Sequence, residues 1–347
     1  MHIVVLAGGI GGARFLRGVR LVAGSLGARV TAVVNVGDDI TLHGLRICPD
    51  LDSVMYALGG GADPERGWGR AGETWVVKEE LASYGAEPAW FGLGDRDLAT
   101  HLVRTQLLAA GQPLSAVTAR LCERWRLGIE LLPASDDPVE THVEVEEGRL
   151  LHFQEWWIRY RAELPANRFV FAGAERARPA AGVLDALQTA DAVLLAPSNP
   201  VVSILPILAI PGIREALTAK VTGVSPVIGG SPVRGMADKC LAAIGVPCTA
   251  EAVGRMYGAD LLGTWLVDTS DKGAEVPGVT TVDCPLWMTD DEATAAIVRT
   301  ALDHTVGSRP LDRDREQQRS LAADHTAGSR PLDRDREQQR SLAADHD

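Results

Sequence analysis

The β-branched run His2–Ala7 breaks into the turn Gly8-Gly9-Ile10-Gly11-Gly12 and resumes as Arg14–Val22, with apolar residues at helical spacing. A strand that feeds straight into a helix returns to its own sheet as a parallel neighbour, through a right-handed crossover. Val30–Val36 supplies that neighbour, and its unbroken apolar run is what a strand covered by helices on both faces needs. Ala192–Ala196 and Lys220–Ile228 read the same way, each ending in a polar loop. Helices are predicted over Leu51–Leu58, with Asp50 or Asp52 as cap and Gly59–Gly61 as terminator, over Leu98–Trp125 with a break at Gly111–Pro113, and over Asp291–Leu302. The expected class is α/β: a three-layer, Rossmann-like, mostly parallel sheet with a small helical insertion at about 95–128.

The core is expected to end at residue 303. Residues 304–324 (HTVGSRPLDRDREQQRSLAAD) recur at 325–345 with Val306 replaced by Ala327, and each copy holds four Arg, four acidic residues and almost no large apolar side chain. Such a segment cannot bury enough surface to offset its ordering entropy, so 304–347 is predicted to be a low-complexity, disordered tail.

Charge narrows the partners. With 34 Lys+Arg against 46 Asp+Glu the net charge is -12, a field that repels nucleic-acid phosphates and acidic membranes, so neither is expected as a partner. No apolar run approaches the roughly 20 residues of a spanning helix. Ile3–Ala7 lacks the basic leader and apolar length of an export signal, so the expected location is the cytoplasm. Cys48, Cys122, Cys240, Cys248 and Cys284 include no Cys-x-x-Cys pair, which argues against a disulfide framework and a zinc knuckle.

In open parallel sheets ligands bind beyond the carboxyl ends of the strands, where loops and helix N-termini meet. Gly8, Gly9, Gly11 and Gly12 would let backbone amides approach a phosphate. The loop follows the dinucleotide fingerprint until Arg14 stands where its last glycine belongs, and no Gly-Lys-Ser/Thr follows. Asp38 could grip a ribose, but Arg14 disfavours a nicotinamide-dependent oxidoreductase. Next come Asn35-Val36-Gly37-Asp38-Asp39 and Ile47-Cys48-Pro49-Asp50-Leu51-Asp52. Carboxylates grouped near one strand end could hold Mg²⁺ together with water and diphosphate, with Asp38 and Asp39 as the candidate ligands. At least one of the four carboxylates is expected to be structural, since Asp is a common helix cap. Ser198 and Asn199 lie in a third loop, and Arg234, a planar fork suited to phosphate, in a fourth. His152–Arg161 interleaves aromatic and polar residues, as a half-buried strand or a ring-stacking surface would.

The motifs GGIGGARFLRGV, NVGDD, RICPDLDSVMYALGG, WFGLGDRDLATHL, HFQEWWIRYRA, LLAPSNPVVSI, SPVIGG and RGMADKCL resemble the actinobacterial phosphoenolpyruvate transferases, which belong with the archaeal 2-phospho-L-lactate transferases of coenzyme F(420) biosynthesis. The resemblance runs from residue 1 to about residue 302. It implies transfer of a phosphoenolpyruvyl or 2-phospholactyl group from a guanosine-diphosphate-activated donor to 7,8-didemethyl-8-hydroxy-5-deazariboflavin, with GMP leaving, Mg²⁺ as cofactor and a homodimer as the working form. Such transfer needs in-line positioning and charge neutralisation more than covalent chemistry. Asp38 and Asp50 are then the candidate catalytic residues. Asp50 matches a deazaflavin-binding position and Gly92 another, where archaeal relatives often carry a basic residue. A rival is a non-catalytic sugar-nucleotide-binding regulator of related fold, against which RICPDLDS and WFGLGDRD argue.

Overall fold

The computed structural model describes residues 1–146, 148–217 and 221–306. Its strands are β1 (His2–Ala7), β2 (Arg29–Val34), β3 (Ile40–Leu42), β4 (Leu45–Ile47), β5 (Glu130–Pro133), β6 (Glu140–Glu146), β7 (Arg149–His152), β8 (Arg168–Ala172), β9 (Ala192–Leu195), β10 (Val221–Val224), β11 (Val227–Ile228), β12 (Ser231–Pro232), β13 (Leu262–Val267) and β14 (Thr280–Asp283). Its helices are α1 (Gly9–Leu26), α2 (Pro49–Leu58), α3 (Val76–Ser83), α4 (Asp95–Ala109), α5 (Leu114–Cys122), α6 (Val183–Gln188), α7 (Leu205–Leu208), α8 (Ala237–Ala243), α9 (Ala250–Tyr257) and α10 (Asp291–Val306).

Seven strands form one sheet in the order β14-β13-β10-β9-β1-β2-β5, and every pairing in it is parallel. β1 is wholly buried, as a central strand with helices over both faces must be. From β1 the chain moves outward first to β2, while β9 and all later strands of the sheet lie on the other side of β1. The order therefore reverses between β1 and β9, which makes the carboxyl ends of these two strands the switch point of the sheet. α1 packs against both α2 and α10. At Gly18 the two helices α1 and α10 approach too closely for a side chain: an added Cβ would come within 2.6 Å of Thr294 of α10.

Several elements differ from the sequence expectation. α1 starts at Gly9, not Arg14, so the glycines form the helix's own first turn. α2 starts at Pro49, whose missing N–H costs nothing at that position, and Cys48 precedes it without a side-chain cap. Asp50 and Asp52 are consequently first-turn residues whose side chains are buried, and neither is the cap. The run to Ile228 is cut at Ser225-Pro226, giving β10 and a short β11–β12 hairpin; Lys220 lies outside the described residues. The stretch from His152 is not a strand: β7 stops there and a π-helical turn, Glu155–Arg159, follows. Phe153, Trp156 and Trp157 have helical spacing, and Phe153 packs on Trp156 at 6.2 Å and on Trp157 at 5.6 Å between ring centroids. The break at Gly111–Pro113 separates α4 from α5.

A separate three-stranded antiparallel sheet, β7-β6-β8, was not anticipated, although Glu140–Glu146 alternates as a half-buried strand does. The closing helix runs four residues past Leu302, to Val306, and Thr305 meets Thr222 of β10 through their hydroxyls at 2.7 Å. Except for His304–Val306, the repeats predicted to be a disordered tail lie outside the described residues. Among the described residues no helix is long and apolar enough to cross a membrane.

Candidate active site at the sheet switch point

The loop after β1 and the loop after β9 are tied together by one residue. The Gly8 N–H donates to Ser198 Oγ at 3.1 Å, and the Ser198 hydroxyl donates to the Gly8 carbonyl at 2.7 Å. Their approach leaves no room for a side chain: a Cβ at Gly8 would lie 2.5 Å from Asp50 Oδ2 and 2.7 Å from Ser203 Cβ, and one at Gly12 would lie 2.7 Å from Ser198 Oγ. The glycines thus let three loops close on one another. Gly8→Ala is expected to lower stability by about 1–3 kcal/mol through overpacking and to displace Asp50, abolishing turnover. Melting and activity both unchanged would show that the loops have slack.

Asn35, the residue after β2, is the hub of this closure. Its Oδ1 accepts from the Gly37 N–H at 2.8 Å, while its Nδ2 faces Asp38 Oδ1 at 3.1 Å, Asp50 Oδ2 at 2.9 Å and the Val202 carbonyl at 3.1 Å. Asp50 also accepts from the Gly9 N–H, so a carboxyl already sits at the N-terminus of α1, where the helix dipole favours negative charge. With the Gly8 amide committed to Ser198, Ile10 and Gly11 keep the first-turn amides that have no intrahelical acceptor.

Asp38, Asp39, Asp50 and Asp52 are all buried, but they fall into two kinds. Asp39 faces Arg46 at 3.4 Å, and Asp52 forms a two-pronged ion pair with Arg104. Among the described residues no Arg, Lys or His forms an ion pair with Asp38 or Asp50. Burial, and then the Asp50 charge, hold the Asp38 carboxyl well above the usual carboxylate range. Burial likewise pushes Asp50 to about 6 against the pull of its Asn35 and Gly9 donors, and Asp39 to about 7 against the pull of Arg46. Asp38 and Asp50, not Asp38 and Asp39, are the pair brought onto a common donor. One oxygen of Asp39 is buried with no hydrogen-bond partner.

Other residues expected in the site take up different contacts. Asn199 Oδ1 caps the turn at Pro200–Ile204 through the Val201 and Val202 amides, and its Nδ2 points at Cys240 Sγ. Arg234 donates to the Arg66 carbonyl at 2.8 Å and so joins its loop to residues 63–70. Arg14 donates to the Met288 carbonyl at 3.2 Å. Beside Gly92, where a Cβ would begin, stand the Trp75 ring at 3.4 Å and the Lys78 amine at 3.5 Å, so α3 brings a basic group to a position that lacks one of its own.

Asn35 and Gln154 lie in segments the sequence singles out, NVGDD and HFQEWWIRYRA, but neither is among the candidate site residues; both donate to Asp38, and the pairing of such distant residues has no sequence signal. Asp52, Asp97 and His101 also form a tight group, with one ligand atom from each within 4.8 Å of the others. There Arg104 supplies the positive charge. Its Nη1 lies 3.2 Å from His101 Nδ1, and His101 Nε2 lies 3.5 Å from an Asp97 carboxyl oxygen.

Buried carboxyls and a helix N-terminus thus meet at the reversal point of a parallel sheet, the position where α/β enzymes bind their ligands. The chain belongs to the family described as 2-phospho-L-lactate transferase CofD, whose model matches residues 3–284, and it is a transferase. It is 61% identical over 313 residues to the phosphoenolpyruvate transferase of Thermobifida fusca, covering 87% of this chain and 97% of that one. It is 62% identical over 315 residues to the phosphoenolpyruvate transferase of Nocardia farcinica, covering 87% and 94%. A crystal structure of a Bacillus halodurans protein superposes with a TM-score of 0.57 over 85% of this chain and 98% of its own, at 19% identity, a likeness of fold alone.

Proposed function

We propose that this chain transfers the phosphoenolpyruvyl group, or its 2-phospholactyl analogue, from a guanosine-diphosphate-activated donor to the ribityl hydroxyl of 7,8-didemethyl-8-hydroxy-5-deazariboflavin, in coenzyme F(420) biosynthesis. The family supports the class of reaction, and the name of the actinobacterial relatives favours the enolpyruvyl donor. The observation that carries the reading at the level of chemistry is the Asp38–Asp50 pair: two buried carboxyls on one amide donor, with no cationic partner among the described residues, at the switch point of the sheet.

The acceptor hydroxyl oxygen forms a bond to the phosphorus that bears the three-carbon group. The bond from that phosphorus to the bridging oxygen breaks, and GMP leaves with the electron pair. Asp50, at about 6, is largely ionised at neutral pH yet close enough to it to take the hydroxyl proton, the match a general base requires. The unpaired first-turn amides of α1 orient the diphosphate. Asp38, whose oxygens have only amide donors, is the carboxyl that would hold Mg²⁺, whereas Asp39 is engaged by Arg46. Held there, Mg²⁺ would supply positive charge to offset the negative charge that builds on the diphosphate oxygens. On this reading the protein works in the cytoplasm as a homodimer, and the segment 304–347 is dispensable for transfer.

The test is incubation of the purified protein with the guanosine-diphosphate-activated donor, the deazaflavin and Mg²⁺, with chromatographic quantification of products. GMP and the phosphodiester-linked deazaflavin are expected in equal amounts, and neither is expected without acceptor. GMP release that ignores the acceptor, or no product at all, overturns the reading.

A further inference from the structure

We propose that Gln154 is a positioning residue for Asp38: it fixes the carboxyl while leaving its charge free for a cation, an inference that rests on the transfer reading above. Gln154 stands just beyond β7, 116 residues from Asp38 in sequence, and is buried; its Nε2 donates to Asp38 Oδ2 at 3.1 Å. Asn35 donates to the other oxygen at 3.1 Å. Each oxygen of Asp38 thus accepts one amide N–H, which locks the carboxyl's rotation and leaves one lone pair on each oxygen.

The grip has a second point. The Gln154 backbone N–H donates to His152 Nδ1 at 3.1 Å, so the His152 proton sits on Nε2, which donates to the Asp39 carbonyl at 3.2 Å. One short segment therefore holds the side chain of residue 38 and the main chain of residue 39. Phe153, between the two gripping residues, is buried against Trp156 and Trp157 and anchors the segment.

The choice of partner is the informative part. The neighbouring buried carboxyls Asp39 and Asp52 have guanidinium partners, Arg46 and Arg104, whose charge offsets theirs. Asp38 has two neutral amides. A guanidinium in place of Gln154 would hold Asp38 equally well but would compete with any cation bound there, and an apolar residue would not hold it at all. A buried amide is costly unless it is hydrogen-bonded, so a glutamine that only filled space here would be a poor choice beside Phe153.

The test uses the full chain with Gln154→Met and Gln154→Glu, which keep the length of the side chain. Three quantities are measured: the Mn²⁺ dissociation constant by electron paramagnetic resonance, steady-state kinetics, and the melting temperature. Gln154→Met is expected to weaken Mn²⁺ binding about tenfold and to lower kcat ten- to a hundredfold, as loss of a group that orients a metal ligand does, with KM for the acceptor within about twofold. Gln154→Glu is expected to lose as much kcat while binding Mn²⁺ more tightly, because it adds a carboxylate where the orienting donor was. In an Asp38→Asn background Gln154→Met should change neither quantity further. Unchanged Mn²⁺ affinity and kcat in Gln154→Met, with only its melting temperature lowered, overturns the proposal, as does a wild-type protein that binds no Mn²⁺. A wild-type protein that binds Mn²⁺ and shows the affinity changes stated for both variants, yet forms no product, sinks the transfer reading and leaves the role of Gln154 as a positioning residue for Asp38 standing.

Discussion

Asp38→Asn is expected to lower kcat by about a hundredfold, equivalent to roughly 3 kcal/mol of transition-state stabilisation, and to raise the Mg²⁺ concentration for half-maximal rate. The substitution keeps the shape of the side chain and deletes its charge. Its effect on stability follows from the surroundings. Asp38 is buried beside Asp50 with no cationic partner among the described residues, so burial and the neighbouring charge both disfavour its ionised form in the folded protein. An amide removes that cost. Against this, its own NH2 must face either Asn35 Nδ2 or Gln154 Nε2, both donors, and one hydrogen bond worth about 1 kcal/mol is lost. The two effects oppose each other, and the melting temperature is expected to stay within a few degrees of wild type. Titration of rate against Mg²⁺, paired with thermal melting, checks both halves. Full activity at low Mg²⁺, or undiminished wild-type turnover in excess EDTA, would remove the metal from the mechanism and return the aspartates to a structural role.

The legible part of this fold is what periodicity encodes. β1, β2 and β9 are short, continuous apolar runs, and a parallel sheet is the arrangement that buries such runs on both faces. Knowing the strands gave their loops, and with the loops the place where Gly8, Asp38, Asp50 and Ser198 converge. Partnership between distant residues left no such trace. Asp38 and Asp39 are adjacent in sequence and looked like one metal-binding unit, but Arg46 engages Asp39 while Asn35 links Asp38 to Asp50. Asp50 and Asp52 looked like alternative caps of one helix, because an aspartate near a predicted helix start is ambiguous until the first residue of the helix is known. Pro49 at the first position moves both into the helix and turns them inward. Arg234 looked like a free phosphate fork, yet the Arg66 backbone carbonyl engages it. What the sequence lacked was long-range pairing, which decides whether a buried carboxyl is neutralised or left available.

Asp52 gives the most direct measure of that difference. A helix-capping aspartate would cost about 1 kcal/mol on replacement by asparagine or alanine. Asp52 instead takes both prongs of Arg104, a residue of α4 that is 1% exposed, and it also lies 3.7 Å from His101. Burial pulls the Arg104 guanidinium towards losing its proton, but the Asp52 carboxylate outweighs this and holds it charged. Asp52→Asn therefore leaves a buried guanidinium without its counter-charge. The expected loss is about 3–5 kcal/mol, several times the cap value. Urea denaturation of both proteins reads it directly. The kinetic effect follows from the helix geometry: Asp52 and Asp50 share the first turn of α2, so releasing Arg104 frees that turn to tilt and moves Asp50 relative to Asn35. A drop in kcat is expected alongside the loss of stability, with both largely restored in Asp52→Leu/Arg104→Met, where no buried charge remains. A loss near 1 kcal/mol in Asp52→Asn, or no recovery in the double variant, would show that the ion pair is not what fastens α2 to α4.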